Sequence, residues 1–253
     1  GSYNTAIGEV CLQAATTADY NTAMGRYTMY ANTTGHSNTA LGYNALGTNT
    51  TGSYETAVGY NAAYSNTTGG VTAFGRNAAY SNTTGHTNVA VGREASHSLT
   101  TGSYNTSCGQ GALNGATTSS YNTAVGYESS YSNQTSNGNV AVGYYALRLS
   151  TAQHNTALGS SAAAANTSGA DNTALGHAAL YTNTTGAGNL AVGKEALTSA
   201  TTADYNTAVG TAAAYTNTTG GPLTAIGYSA LYYNTTGGNN TAIGYRTLRT
   251  NTT

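Results

Sequence analysis

Cysteine, histidine and acidic side chains are the residues of this chain best suited to chemistry, and they are few and dispersed. The 253 residues include two cysteines, Cys11 and Cys108, with five histidines and eight acidic residues. No histidine or cysteine pair has the spacing of zinc ligands. No nucleophile elbow, phosphate-binding loop or pair of neighbouring carboxylates occurs. The sequence therefore predicts no catalytic residue, no metal site and no cofactor, and we expect a protein that is not an enzyme.

Tyrosine is the abundant side chain that could contact a ligand, with 22 copies. Many tyrosines are 17 residues apart, for example Tyr43 and Tyr60, or Tyr215 and Tyr232. One interpretation is that they stack on one another along the structure and stiffen it. The other is that they form rows that bind a sugar or a partner protein.

Asparagine with Ser or Thr two positions later, the signal for N-glycosylation, is also frequent. Most copies lie in Asn-Thr-Thr-Gly, which is a good turn without any glycan, because Asn and Thr bond their own backbone and Gly takes the unusual dihedral. Because turns usually lie at the surface, these asparagines are candidate glycosylation sites if the protein is secreted. The candidates are Asn32, Asn49, Asn66, Asn82, Asn105, Asn133, Asn166, Asn183, Asn217, Asn234, Asn239 and Asn251.

A repeated five-residue unit, Asn-Thr-Ala-(apolar)-Gly, gives all of these residues regular positions along the chain. It occurs fifteen times, from Asn4–Gly8 to Asn240–Gly244, and its glycines are 17 residues apart except for two steps of 16. A fixed short period along a whole chain is typical of a solenoid. We predict an all-β fold, a parallel β-solenoid (β-roll) of about 15 coils. We interpret residues 1–253 as a single repeat array without separate domains and as a fragment of a longer solenoid.

Each coil is numbered here from the residue equivalent to Asn4. Positions 1–5 predict a short strand that ends at a Gly with positive φ. Positions 6–11 predict a second side, either a strand or a helical turn, and positions 12–15 predict a turn. Side chains alternate faces along a strand. Since position 4 is always apolar, we expect positions 2 and 4 to face the interior and Ala at position 3 to face outward, toward another chain.

On this interpretation both cysteines fill the core. Cys11 occupies position 8 and Cys108 occupies position 4, six coils apart. That distance is too long for a disulfide, which needs Cα atoms within about 7 Å.

The charge content excludes several classes of partner. Charged residues are 6% of the chain and the net charge is −1, against a usual charged share of about 25%. Such a chain offers no basic surface for nucleic acid, and it has no apolar run of the ~20 residues that a membrane span needs. We therefore expect neither a nucleic-acid partner nor a membrane segment.

The repeat Asn-Thr-Ala-(Ile/Val/Leu)-Gly-x-x-Ala-Leu resembles the head repeat of YadA-like trimeric autotransporter adhesins, whose core reads Ser-Val-Ala-Ile-Gly-x-x-Ala. It also resembles the repeats of phage tail-fibre proteins. Val89–Gly92 and Val140–Gly143 match the adhesin form best. The resemblance implies a left-handed β-roll, association of three chains and a surface that binds host matrix or receptors. The period of 17 is longer than in the usual adhesin head.

These observations predict an extracellular, cell-surface or virion fibre, or an adhesin shaft, that self-associates as a trimer or an end-to-end filament. Glycans or a host surface are its candidate partners. Two alternatives stay open. The tyrosine rows would bind glycans or a partner protein, or rows of Thr and Asn would match an ice lattice. Against ice binding stand the bulky tyrosines and the lack of a Thr-x-Thr pair on one strand face.

Overall fold

The computed structural model describes residues 1–253, and it contains fifteen short strands and no helix, so no helix could span a membrane. The chain forms two compact units, residues 1–125 and 126–253. The strands of the first unit are β1 Thr5–Ile7, β2 Thr22–Met24, β3 Thr39–Leu41, β4 Thr56–Val58, β5 Val71–Phe74, β6 Asn88–Val91, β7 Thr106–Cys108 and β8 Thr123–Val125. Those of the second are β9 Val140–Val142, β10 Thr156–Leu158, β11 Thr173–Leu175, β12 Leu190–Val192, β13 Thr207–Val209, β14 Thr224–Ile226 and β15 Thr241–Ile243.

Within each unit, every strand pairs in parallel with the strand of the next coil. Equivalent residues lie opposite each other, as in Thr5 with Thr22 in the first unit and Thr156 with Thr173 in the second. The prediction of a parallel β-solenoid with a 17-residue coil is therefore confirmed. A residue type that recurs at one coil position forms a continuous column.

The two faces of the strand are the reverse of those that the sequence led us to expect. Ala at position 3 points inward and is fully buried, as Ala57 and Ala174 show, whereas Leu41 and Leu158 at position 4 are exposed. The strand alanines pack against apolar residues of the second side, for example Ala141 with Ala146 and Leu147 in one cluster. Two closely spaced sides enclose a narrow interior, and a narrow interior at native packing density accepts only small side chains from the strand.

The second side of the coil is neither a strand nor a helical turn. Its residues at positions 7 and 9 have a left-handed backbone, with φ of 57° at Tyr27 and 48° at Met29. The Tyr27 N–H donates to the Glu9 carbonyl of the preceding coil, and the Met29 N–H donates to the Ala45 carbonyl of the following coil, each at 3.0 Å. These bonds to both neighbouring coils offset the cost of a left-handed L-residue, roughly 1–2 kcal/mol each.

Glycine at position 5 is required by both conformation and space. Its φ lies between 126° and 140° in all fifteen coils, as the sequence predicts. A Cβ added at Gly42 would lie 2.4 Å from the carbonyl oxygen of Gly59 in the next coil. Any other residue would push successive coils apart at this corner.

Two ladders of buried asparagine hold successive coils together. In the strand ladder at position 1, Asn38 N–H donates to Asn21 Oδ1 at 3.0 Å, and Asn38 Nδ2 donates to the Gly52 carbonyl at 2.9 Å. In the turn ladder at position 12, Asn183 Nδ2 donates to the Gly186 carbonyl and to Asn166 Oδ1 of the preceding coil, both at 2.9 Å. These side chains satisfy backbone groups that the turns would otherwise leave buried and unpaired.

Candidate functional site

The outward side chains of positions 2 and 4 form the main candidate site, which we call the outer sheet face. Position 4 supplies Ile, Leu, Val, Met, Phe or Cys in every coil, and position 2 supplies Thr in twelve coils and Val or Leu in three. Met24 is 43% exposed and Leu41 is 44% exposed in the first unit, and Leu158 is 45% exposed in the second. Soluble proteins rarely leave contiguous apolar patches of more than a few hundred Å² uncovered.

Exposed tyrosines border the outer sheet face. One column precedes the strand and includes Tyr3 and Tyr20, whose rings stack at 4.9 Å. The other follows the strand glycine and includes Tyr43 and Tyr60, stacked at 5.3 Å. The predicted coil-to-coil stacking of tyrosine is thus confirmed, and the columns extend the apolar surface on both sides.

No charged residue occupies position 2 or position 4 in any coil. Most charges lie on the second side instead, where several form ion pairs. Arg26 Nε lies 2.9 Å from Glu9 Oε2, and Arg148 Nε lies 2.7 Å from Glu128 Oε2. The outer sheet face is therefore an electrically neutral strip of hydroxyl and aliphatic groups.

Ten of the twelve candidate glycosylation asparagines are buried, contrary to the expectation that these turns expose them. They are Asn32, Asn49, Asn66, Asn82, Asn105, Asn133, Asn166, Asn183, Asn217 and Asn234. Their Nδ2 atoms donate inside the ladders, as Asn32 does to the Gly35 carbonyl at 3.1 Å. The turn folds around its Asn side chain, and the exposed residues of the turn are threonines such as Thr34.

The other two candidates are accessible. Asn239 is exposed and Asn251 is partly exposed. A glycan on Nδ2 fits the observed coil at Asn239. Asn251 Nδ2 donates to Asn234 Oδ1 at 3.2 Å, so a glycan there, as at the buried ten, would disturb the turn ladder.

The cysteines and histidines lie apart from one another. Cys108 is exposed on the outer sheet face, so its predicted place in the core is wrong, because position 4 points outward rather than inward. Cys11 is half-buried. Neither cysteine forms a disulfide. His36 packs edge-on against Tyr54 at 4.9 Å between ring centroids. His154 Nδ1 lies 3.5 Å from Asp171 Oδ1. No three His, Cys, Asp or Glu side chains cluster in a way that would hold a metal ion.

Glu55 replaces the strand-ladder asparagine in one coil and is the buried titratable group of the protein. It is 1% exposed. Its Oε2 accepts from Asn49 Nδ2 at 3.0 Å, and its Oε1 accepts from Asn66 Nδ2. Burial raises the pKa of Glu55 to about 8, partly opposed by a hydrogen bond from the Gly69 backbone. The carboxyl is therefore protonated at neutral pH and bridges the two ladders.

Sequence reasoning missed the outer sheet face, although one signal pointed to it. Position 3 is Ala in fourteen coils and Ser107 in the other, whereas position 4 varies from Cys and Val to Met and Phe. A close-packed interior restricts side-chain volume tightly. Constant volume at position 3 and variable volume at position 4 therefore indicate that Ala is the core residue and that the larger apolar residue is on the surface.

Comparisons with protein-family models, with curated proteins and with solved structures find no match to this chain. The fold and the outer sheet face define the class of protein as a parallel β-solenoid with one neutral, apolar sheet surface.

Proposed function

We propose that the chain is a structural, self-associating segment of an extracellular fibre, and that its coils associate through the outer sheet face with other copies of the same chain. The observation that carries the proposal is the column of exposed or partly exposed apolar residues at position 4 in each unit. Covering a Leu or Ile side chain contributes roughly 25 cal/mol per Å² of apolar area removed from water. A column of such residues favours association far more than any isolated surface leucine.

A second copy of the chain is the partner that fits this face. The side chains recur once per coil, at the strand spacing of about 4.8 Å. Another copy offers the same period, so its apolar side chains meet those of the first copy coil after coil. The absence of charge at positions 2 and 4 removes any like-charge repulsion between copies.

The fibre role and its location rest on the sequence resemblance together with this surface. A repeat like those of adhesin heads and tail fibres supports an extracellular, cell-surface or virion location and supports association as a trimer or a filament. Host surfaces and glycans are the partners that such a fibre would meet.

The mass of the native assembly in solution tests whether the chain self-associates through the outer sheet face. Replacing Met24, Leu41 and Val58 by Glu places three charges on the outer sheet face of coils 2–4. The matched control replaces Thr34, Thr51 and Thr68, exposed turn residues of the same coils, by Glu. Analytical ultracentrifugation should show a multiple of 25.4 kDa for the wild type and the control, and a smaller assembly for the face variant. A wild type that sediments as a single chain at all concentrations contradicts the proposal.

One observation favours a second candidate function, ice binding. The position 2 threonines point outward in register, as in Thr207 with Thr224, beside the aliphatic position 4 column. A sheet face with such regularly spaced hydroxyl and aliphatic groups can act as a template for ordered water. Ice binding requires this face to stay uncovered, so thermal hysteresis of a single-chain wild type would favour it over the fibre. Absence of hysteresis at high protein concentration would reject it.

A further inference from the structure

A tyrosine-lined cleft lies on the second side of coils 1–4, in the first unit. Its volume is about 400 Å³, and its walls include Tyr27, Tyr30, Tyr43, Tyr64, Gln13 and Asn44. That volume lies in the lower part of the usual range of small-molecule sites, ~300–1,000 Å³. The cleft is open to solvent, and it does not include the position 2 and position 4 side chains of the outer sheet face.

Gly47 interrupts a column of large side chains beside the cleft. At position 10, successive coils carry Tyr30, Gly47 and Tyr64. The Tyr64 ring leans over Gly47, where an added Cβ would lie 2.8 Å from Tyr64 Cε2. In the next coils the column is closed, because Tyr64 stacks on Tyr80 at 5.4 Å.

The rings around the cleft meet at steep angles, so they do not form one flat stack. Tyr27 is edge-on to Tyr30 at 6.1 Å and to Tyr43 at 5.9 Å. Aromatic faces offer dispersion contacts to the C–H groups of a ligand ring. Burial, together with the neighbouring Tyr30 hydroxyl, raises the pKa of Tyr64, so its hydroxyl stays protonated and can donate a hydrogen bond.

The charges nearby select against an ionic ligand. No residue that lines the cleft is charged. The Arg26 guanidinium lies 4.6 Å from the Tyr27 ring centroid and is paired with Glu9 at 2.9 Å. A cationic ligand would be repelled by this guanidinium, and an anionic ligand would have to compete with Glu9 for it.

We propose that this cleft binds a neutral saccharide of one or two sugar rings. The tyrosine rings pack against the C–H faces of the sugar, while the amides of Gln13 and Asn44 and the tyrosine hydroxyls exchange hydrogen bonds with its hydroxyl groups. The cleft contains no position 2 or position 4 side chain, and of its walls only Tyr43 also belongs to the tyrosine columns that border the outer sheet face, so sugar binding and self-association can be tested separately.

Isothermal titration with maltose, cellobiose and chitobiose, together with ligand-observed NMR, tests the site. Wild-type protein should bind at least one of them. Gly47→Tyr completes the position 10 column while retaining every tyrosine, and it should weaken binding at least tenfold. Gln13→Leu removes one amide and should also weaken binding. The matched control is Thr198→Tyr, a substitution at position 10 of the second unit between Tyr181 and Tyr215, and it should bind like the wild type.

Three results would overturn the proposal. They are no binding of any of the three saccharides to the wild type, unchanged binding to Gly47→Tyr, and binding of tetramethylammonium at the cleft in place of the sugars. None of these outcomes alters the native mass, so failure of this proposal and failure of the fibre proposal are distinguishable.

Discussion

At the scale of single residues, Glu55 shows how strongly a narrow core constrains chemistry. Fourteen of the fifteen coils have an uncharged residue at position 1, usually Asn. Glu55 occupies the same buried place because two asparagine amides donate to its carboxyl group and because it keeps its proton. A buried carboxylate without a cationic partner would be costly.

We expect this group to make the first unit less stable as the pH rises. The pKa of Glu55 is about 8 in the folded chain against an ordinary 4.5, so the folded state retains a proton that the unfolded state releases. The contribution of the protonated Glu55 carboxyl to the free energy of unfolding is fully present below pH 4.5 and is lost as the pH rises to about 8. The free energy of unfolding falls by on the order of 4 kcal/mol over this range. Urea unfolding of the wild type and Glu55→Asn between pH 4.5 and 9 measures it.

Glu55→Asn restores the ladder residue and removes the titrating group, so its stability should fall less over this pH range. The control Glu9→Gln removes an exposed carboxyl and should leave the wild-type pH dependence intact. If the free energy of unfolding changes with pH in the same way for wild type and Glu55→Asn, the Glu55 carboxyl ionises in the folded state without loss of stability, and the prediction is wrong.

Adjacent residues of one strand should respond oppositely to a change of volume. Ala174 is fully buried and Leu175 is 40% exposed. Ala174→Leu overpacks the interior and should destabilise the second unit by about 1–3 kcal/mol or more, whereas Leu175→Ala should cost less than about 1 kcal/mol. Thermal unfolding, at a dilution where the native mass is a single chain, measures both. A larger loss of stability for Leu175→Ala than for Ala174→Leu would mean that position 4 faces the interior and position 3 faces outward, as the sequence suggested.

At the scale of the element, one coil combines a three-residue strand, a left-handed second side and an asparagine-centred turn. The turn depends on its buried side chain. In coil 2, Asn32 Oδ1 accepts from Gly35 N–H at 2.9 Å, while Asn32 Nδ2 donates back to the Gly35 carbonyl. A turn with this geometry has no free Nδ2 to carry a sugar.

Expression in a glycosylating secretory host should therefore give folded protein with glycans only at Asn239, since the Nδ2 of Asn251 also donates within the turn ladder. The buried ten should be unmodified, because a glycan there breaks the ladder and prevents the coil from forming. Glycopeptide mass spectrometry of the natively purified fraction measures the occupancy of each site, and Asn239→Gln serves as the control for site assignment. Substantial occupancy at Asn32 or Asn183 in folded protein would contradict the ladder.

At the scale of the whole molecule, the period in the sequence was enough to predict the solenoid, the parallel pairing, the corner glycine and the stacked tyrosines. Each of these depends on a residue type that recurs at one position. The orientation of the strand was not predicted, because alternation shows which residues share a face but not which face is inside. The conformation of the second side was not predicted either, since left-handed backbone at residues such as Tyr27 and Met29 is stabilised by bonds to other coils rather than by local sequence.

The reactivity of Cys108 tests most directly whether the outer sheet face is covered by another copy. Its thiol lies on that face and is exposed in the single chain. We predict that, in the native wild-type assembly, Cys108 reacts with a maleimide far more slowly than a cysteine introduced at the exposed turn residue Thr34 in a Cys108→Ser background. Equal rates at the two positions would show that the face is open to solvent and would contradict the self-associating fibre.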